Sequence, residues 1–163
     1  MAAKKSARKT PKTPDAVTLL KADHRQVEAW FEAFEKARSS SVKQRLANSI
    51  CQALTVHTVI EEEIFYPAFL DATRDKDMHH EAIIEHDGAK KLIAEIEASD
   101  PSDDYYDSKV KVLSEMIKHH VKEEEQKDGM FAEAKQSKKM DLAALGAALA
   151  QKKQELISQR QAA

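Results

Sequence analysis

Two histidine–glutamate pairs, His57 with Glu61 and His120 with Glu124, stand four residues apart, and two further histidines, His24 and His86, precede them singly. On a helix, a spacing of four puts both side chains on one face, one turn apart. Two donors set this way aim at one point in space, which is why helical metal sites use the spacing. Imidazole with carboxylate suits iron, manganese or zinc. The chemistry on offer is therefore metal binding by His24, His57, Glu61, His86, His120 and Glu124; no catalytic residue apart from such a site suggests itself.

The six come from a duplication. His24 lies 62 residues before His86, His57 lies 63 before His120, and Glu61 lies 63 before Glu124. An acid precedes each first histidine: Asp23 before His24 and Glu85 before His86. All four histidines fall within apolar stripes. His24 lies between Leu20 and Val27, His57 follows Leu54, His86 follows Ile83, and His120 follows Ile117, each at helical spacing. One such histidine alone reads as a satisfied core residue. Six polar groups in register across a repeat do not, because buried carboxylates and imidazoles need compensating charge. A metal ion or a pair of them supplies it.

Other candidates carry less weight. His119 and Glu123 share the spacing but lie off the inner stripe, on a face that reads as solvated. Glu28 reads as surface or as an outer partner of the site, and Glu62, Glu63, Glu123 and Glu125 as outward. Glu81 and Glu85 are candidates for extra ligands or hydrogen-bond acceptors, His79 could reach the end of the site, and Tyr66, one turn past Glu62, could hydrogen-bond near the pocket but reads first as a core tyrosine.

The elements that must position these groups are helices. The 163 residues hold three glycines and four prolines, with abundant helix formers. The pattern predicts helices at 14–38 (Thr13 as N-cap, Pro14 at the first position), from 42 (opened by Ser41 with Gln44) to Pro67, which should kink or end it, at 78–98, and from 102 to about Asp128-Gly129. An amphipathic stretch at 141–158 follows. The fold class is all-α: an up-down-up-down four-helix bundle over 14–136, a disordered basic tail over 1–13, and an extra C-terminal helix within 137–163.

Net charge is −2, but residues 1–13 carry five basic groups and no acid. That tail reads as a solvated leader rather than a nucleic-acid arm. The single cysteine, Cys51, sits among apolar residues and reads as a small buried hydrophobe. Lack of disulfide pairs, of a signal-peptide pattern and of a long apolar run points to a cytoplasmic protein away from membranes.

The ordered set His24, His57 with Glu61, His86, His120 with Glu124 resembles the hemerythrin, or HHE cation-binding, domain family over residues 15–135. The run from His57 to Pro67 looks like that family's second-helix signature. The resemblance implies a non-haem di-iron centre: His24 and His57 on one iron, His86 and His120 on the other, Glu61 and Glu124 bridging. The chain departs from oxygen-carrying members in having Ala82 where they place a third histidine. It also has a four-residue step to Glu124 instead of five to an aspartate, and Asp128-Gly129 in place of a second proline. A more open pocket is expected. Three roles follow: a protein binding or sensing oxygen, nitric oxide or peroxide; an enzyme reducing peroxide or nitric oxide or oxidising iron; or a metal-stapled adaptor whose protein partner the sequence does not name.

Overall fold

The structure is a computed structural model and describes residues 12–163. The basic tail expected over 1–13 therefore lies, but for its last two residues, outside the described residues. Seven α-helices follow in order: α1 Ala16–Lys36, α2 Ser40–Ile60, α3 Tyr66–Thr73, α4 Lys76–Glu97, α5 Tyr106–Glu125, α6 Met130–Gln136 and α7 Leu142–Ala162. Helices α1, α2, α4 and α5 form the all-α bundle, α1 packing on α2 and α5, and α4 on α5 and α2. No helix among the described residues is long and apolar enough to cross a membrane.

Several helix boundaries differ from expectation. α1 starts later than Pro14: Asp15, not Thr13, is its cap, and its carboxylate accepts the Thr18 N–H at 2.8 Å. The Ser41 hydroxyl pairs with Ser39 at 2.8 Å, and α2 opens without a side-chain cap. Asp100 organises a turn by accepting from the Ser102 N–H at 2.9 Å, which delays α5 to Tyr106.

The proline expected to kink or end the second helix, Pro67, does not stop the helical path but follows a local change in its winding. Residues Glu61–Phe65 form a π turn, and the Tyr66 N–H reaches back five residues to the Glu61 carbonyl. The wide turn accommodates a proline that lacks a backbone donor. The chain then continues as α3 and stops at Arg74, whose φ of 63° is left-handed.

Two apolar clusters fill the interior. One holds Val27, Phe31, Ile50, Leu54, Ile93, Leu113, Ile117 and Val121. The other holds Leu20, Ile60, Phe65, Tyr66, Phe69, Ala82, Met130 and Phe131. α1, α2 and α4 run from one cluster to the other, while α5 lies in the first and α6 adds Met130 and Phe131 to the second. His24, between Leu20 and Val27, and His57, between Leu54 and Ile60, mark the crossing level, and His86 and His120 share it. A polar layer thus separates two greasy ones. Cys51 belongs to the first cluster and is fully buried; burial, with Glu97 nearby, pushes its thiol up to about 12. Such a thiol is not a nucleophile at neutral pH.

α7 packs along α1, α2 and the π turn. Its approach to α1 depends on Gly146, where a β-carbon would stand 2.2 Å from the Pro14 carbonyl oxygen. Leu149 is fully buried beneath it.

Candidate metal centre

The six side chains singled out from the sequence meet in the polar layer. All are at most 5% exposed, and Glu61 is fully buried. His24 Nε2 and His57 Nε2 face each other at 3.1 Å, and His86 Nε2 and His120 Nε2 do the same at 3.1 Å. The two carboxylates straddle these pairs. Glu61 turns Oε1 to His57 Nε2 at 3.1 Å and Oε2 to His86 Nε2 at 3.2 Å. Glu124 turns Oε2 to His24 Nε2 at 3.3 Å and Oε1 to His120 Nε2 at 3.5 Å. The donor atoms form two groups, His24–His57–Glu61–Glu124 and Glu61–His86–His120, each within 4.8 Å of one another.

Behind each histidine stands a carboxylate on Nδ1. His24 meets Glu125 at 2.7 Å, His57 meets Asp23 at 3.2 Å, His86 meets Glu62 at 2.9 Å, and His120 meets Glu85 at 2.5 Å. These acceptors obey the duplication: Asp23 maps to Glu85 and Glu62 to Glu125. Every one has a further partner: Asp23 with Lys153, Glu125 with Arg25 at 2.8 Å, Glu62 with Lys90 at 2.7 Å, and Glu85 with the His119 ring at 3.2 Å. Such outer carboxylates fix which ring nitrogen carries hydrogen and leave Nε2 as the lone pair.

The consequence is electrostatic. With Nδ1–H donated outward, two neutral imidazoles would point lone pairs at each other across 3.1 Å. The Glu61 Oε1 and Glu124 Oε2 atoms are buried and take no hydrogen bond. Cations must sit here, either protons or metal ions. In the metal-free chain the protons settle on histidine. Burial disfavours a charged His57, yet Glu61 and Asp23 lift its imidazole to about 10. Burial likewise opposes charge on His24 and His120, but Glu124 and Glu125 raise the first, and Glu124 and Glu85 raise the second well above the ordinary value. Glu61 is held well below the usual range: burial pushes it up, and His57 and His86 more than reverse that. Burial and Glu61 push Glu124 up, but His120 and His24 bring it to about 2. A donor set this basic, this buried and this symmetric fits a pair of divalent cations.

Tyr66 enters the same space. Its hydroxyl lies 2.9 Å from Glu124 Oε1, 3.1 Å from Glu61 Oε2, 3.1 Å from His86 Nε2 and 3.3 Å from His120 Nε2. Burial and the two carboxylates raise its phenol well above the ordinary value, so it stays a donor. It is a core tyrosine, as its sequence context suggests, and also part of the polar layer. The sequence reading missed Glu62 and Glu125, placed outward there. It also missed Phe131, which stacks on the His24 ring at 5.8 Å.

The remaining candidates fall outside the centre. Glu28 pairs with Arg25 at 3.1 Å on the surface. His79 packs edge-on against the Tyr66 ring at 6.2 Å. Glu85, His119 and Glu123 form a third, shallower group, with His119 61% exposed. Glu81 and Ala82 line an acidic pocket of about 380 Å³ that also touches Asp75, Asp77, His120 and Glu124. Against all four rings, on the side of Val27, Leu54, Ile117 and Val121, lies a cavity of about 20 Å³. That is room for about one water-sized species.

Known proteins bear on this geometry in three ways. The chain is 27% identical over 107 residues to a DNA nickase of Nostoc sp., covering 66% of this chain but 30% of that protein. It thus spans under a third of that relative's length. A crystal structure of a hemerythrin HHE cation-binding domain-containing protein of Mycobacterium kansasii superposes with a TM-score of 0.72 at 21% identity, over 88% of this chain and 87% of the other. That likeness shows a common fold. Residues 15–132 match the model of the hemerythrin HHE cation-binding domain. With that match spanning most of its length, the chain belongs to the hemerythrin HHE cation-binding domain family.

Proposed function

We propose that this chain holds a pair of iron ions through His24, His57, Glu61, His86, His120 and Glu124, and that the pair binds a small oxidant: oxygen, nitric oxide or peroxide. Manganese and zinc also suit the donors. The observation that carries this reading is the facing of Nε2 atoms at 3.1 Å in both histidine pairs while all four Nδ1 atoms are engaged by carboxylates. The metal pair, when bound, supplies open coordination positions and redox chemistry. The protein's own part is fourfold. The outer carboxylates orient the rings. The apolar clusters exclude bulk water. The small cavity on the apolar side of the rings leaves room there for about one water-sized species. The Tyr66 hydroxyl, which stays protonated, is placed to donate a hydrogen bond to whatever negative charge the ligand acquires.

A second reading, an enzyme that turns over peroxide or nitric oxide or oxidises iron, draws on the acidic pocket beside Ala82, which reaches His120 and Glu124 and opens the centre on one side. The nickase likeness covers too little of that protein for its DNA-directed activity to be carried over.

Metal-free protein loaded with ferrous iron under anaerobic conditions should take up two irons per chain. Admitting oxygen should produce an absorption band that reverses on its removal; sustained turnover of peroxide or nitric oxide instead favours the enzyme. The double variant Glu61→Gln with Glu124→Gln should lose the pair. Two irons retained in that variant would sink the assignment.

A further inference from the structure

The four outer carboxylates are not held in the same way. Glu125 is held by Arg25 of α1, Glu62 by Lys90 of α4, and Glu85 by His119 of α5, all within the bundle. Asp23 alone among the four takes its cation from α7. Its Oδ1 accepts from Lys153 while its Oδ2 faces His57 Nδ1 at 3.2 Å. One carboxylate thus spans the C-terminal helix and a histidine of the centre, one oxygen to each. Lys153 lies beyond the family match, which ends at residue 132.

The surroundings make this link matter. Asp23 borders a cavity of about 280 Å³ between α1, α2 and α7, walled by Val27, Trp30, Val56 and Ile157 with Lys153 at its edge. Without Lys153, the carboxylate has space to turn away from His57 and no second charge to hold it. Lys152, the neighbouring residue, pairs with Glu63 at 2.8 Å, which is not one of the histidine acceptors. α7 thus presents two adjacent lysines, one engaging the support of the centre and one engaging the surface.

We propose that Lys153 is a positioning residue for the metal centre: it fixes Asp23, which fixes His57, so that α7 sets the affinity of the His24–His57 half and not of the His86–His120 half. The proposal rests on the metal-pair reading above. Loss of an outer partner of a metal-binding histidine costs roughly 10–100-fold in affinity. The loss here is expected at one half alone.

The test is titration of the full-length metal-free protein with cobalt(II), followed by its visible absorption, for wild type, Lys153→Gln, Lys153→Arg and Lys152→Gln. Wild type should take up two cobalt ions. Lys153→Gln should weaken one binding step about 10-fold and leave the other in place. Lys153→Arg should restore it, and Lys152→Gln should match wild type. Imidazole ¹⁵N spectra of the metal-free proteins give a readout without metal: Lys153→Gln should shift the His57 signals and spare those of His120. Unchanged steps and unchanged His57 signals in Lys153→Gln would overturn the proposal. So would equal weakening of both steps by Lys153→Gln and Lys152→Gln, the mark of a helix that merely packs. A wild-type protein that takes up no cobalt pair defeats the metal-pair reading itself and the proposal with it.

Discussion

The two halves of the duplication carry the same ligands in different settings. Around His24 and His57 the protein is closed: Phe131 stacks on one ring, and α7 covers Asp23 behind the other. In the other half, His120 borders the acidic pocket beside Ala82, and a tyrosine hydroxyl is inserted among the donors next to His86 and His120. That hydroxyl has no twin, because the residue 63 positions beyond Tyr66 is Gly129. A symmetric set of ligands thus sits in an asymmetric shell. Two metals held here would differ in access to solvent and in the proton donor beside them, which is what a centre needs if a ligand is to bind at one end.

The largest expected effect concerns charge shared by both halves. In the metal-free protein, His57 stands near 10 against an ordinary value of 6.5. Its contribution to stability is complete below about pH 6.5 and is lost as pH climbs through 10. His24 and His120, raised in the same direction, reinforce that decline. Glu124, brought to about 2 from 4.5, works oppositely: its contribution is complete above about pH 4.5 and fades as pH falls through 2. The melting temperature of the metal-free protein should therefore be highest between about pH 4.5 and 6.5 and fall steadily toward pH 10. Loading metal displaces those protons, so the loaded protein should not show the alkaline fall. An equal fall with and without metal would mean that the histidine protons are not what the metals replace.

Next in size is a change confined to the closed half. Gly146→Ala drives a β-carbon to within 2.2 Å of the Pro14 carbonyl oxygen and 2.8 Å of the Ala16 nitrogen. These are backbone atoms, which cannot swing aside, so the cost belongs at the upper end of overpacking, about 3 kcal/mol. Hydrogen exchange should quicken along α7 and at the start of α1 while α4 and α5 keep their protection. Uniform acceleration across all helices would show that the closed half has no separate identity.

The helices were legible because their apolar residues repeat at helical spacing, and the six inner groups because they repeat again at 62–63 residues. What escaped the reading depended on local geometry that no period encodes. In a regular helix Tyr66 would stand about 140° from Glu61. The π turn abolishes that separation and puts the hydroxyl on the Glu61 carboxylate. Glu62 and Glu125 sit one residue past the inner glutamates and so read as solvated. They reach instead to a histidine of a neighbouring helix, a contact set by how helices cross. The duplication does relate them to each other, and that was the usable signal. Lys153 had none, since α7 has no counterpart within the repeat. Asp15 displaced Thr13 as the cap of α1 because its carboxylate meets the Thr18 N–H directly.

The smallest expected effect is confined to the open half. Tyr66→Phe keeps the ring and removes the hydroxyl. That hydroxyl has one proton to give, yet it lies within hydrogen-bond distance of both Glu61 and Glu124. Its removal deprives a buried carboxylate of a donor, a loss of about 1–3 kcal/mol, expected toward the lower end because His86 and His120 remain beside the same oxygens. Urea unfolding of the metal-free variant should register that loss. Metal ions held by Glu61 and Glu124 as proposed would supply the positive charge these carboxylates need, and the difference between variant and wild type should shrink on loading. Ligand release should respond as well: a negatively charged ligand at the centre loses its proton donor and should dissociate faster from Tyr66→Phe, while a neutral one should not. Equal release rates for both kinds of ligand would show that the hydroxyl serves packing in the metal-free protein and takes no part in holding what the centre binds.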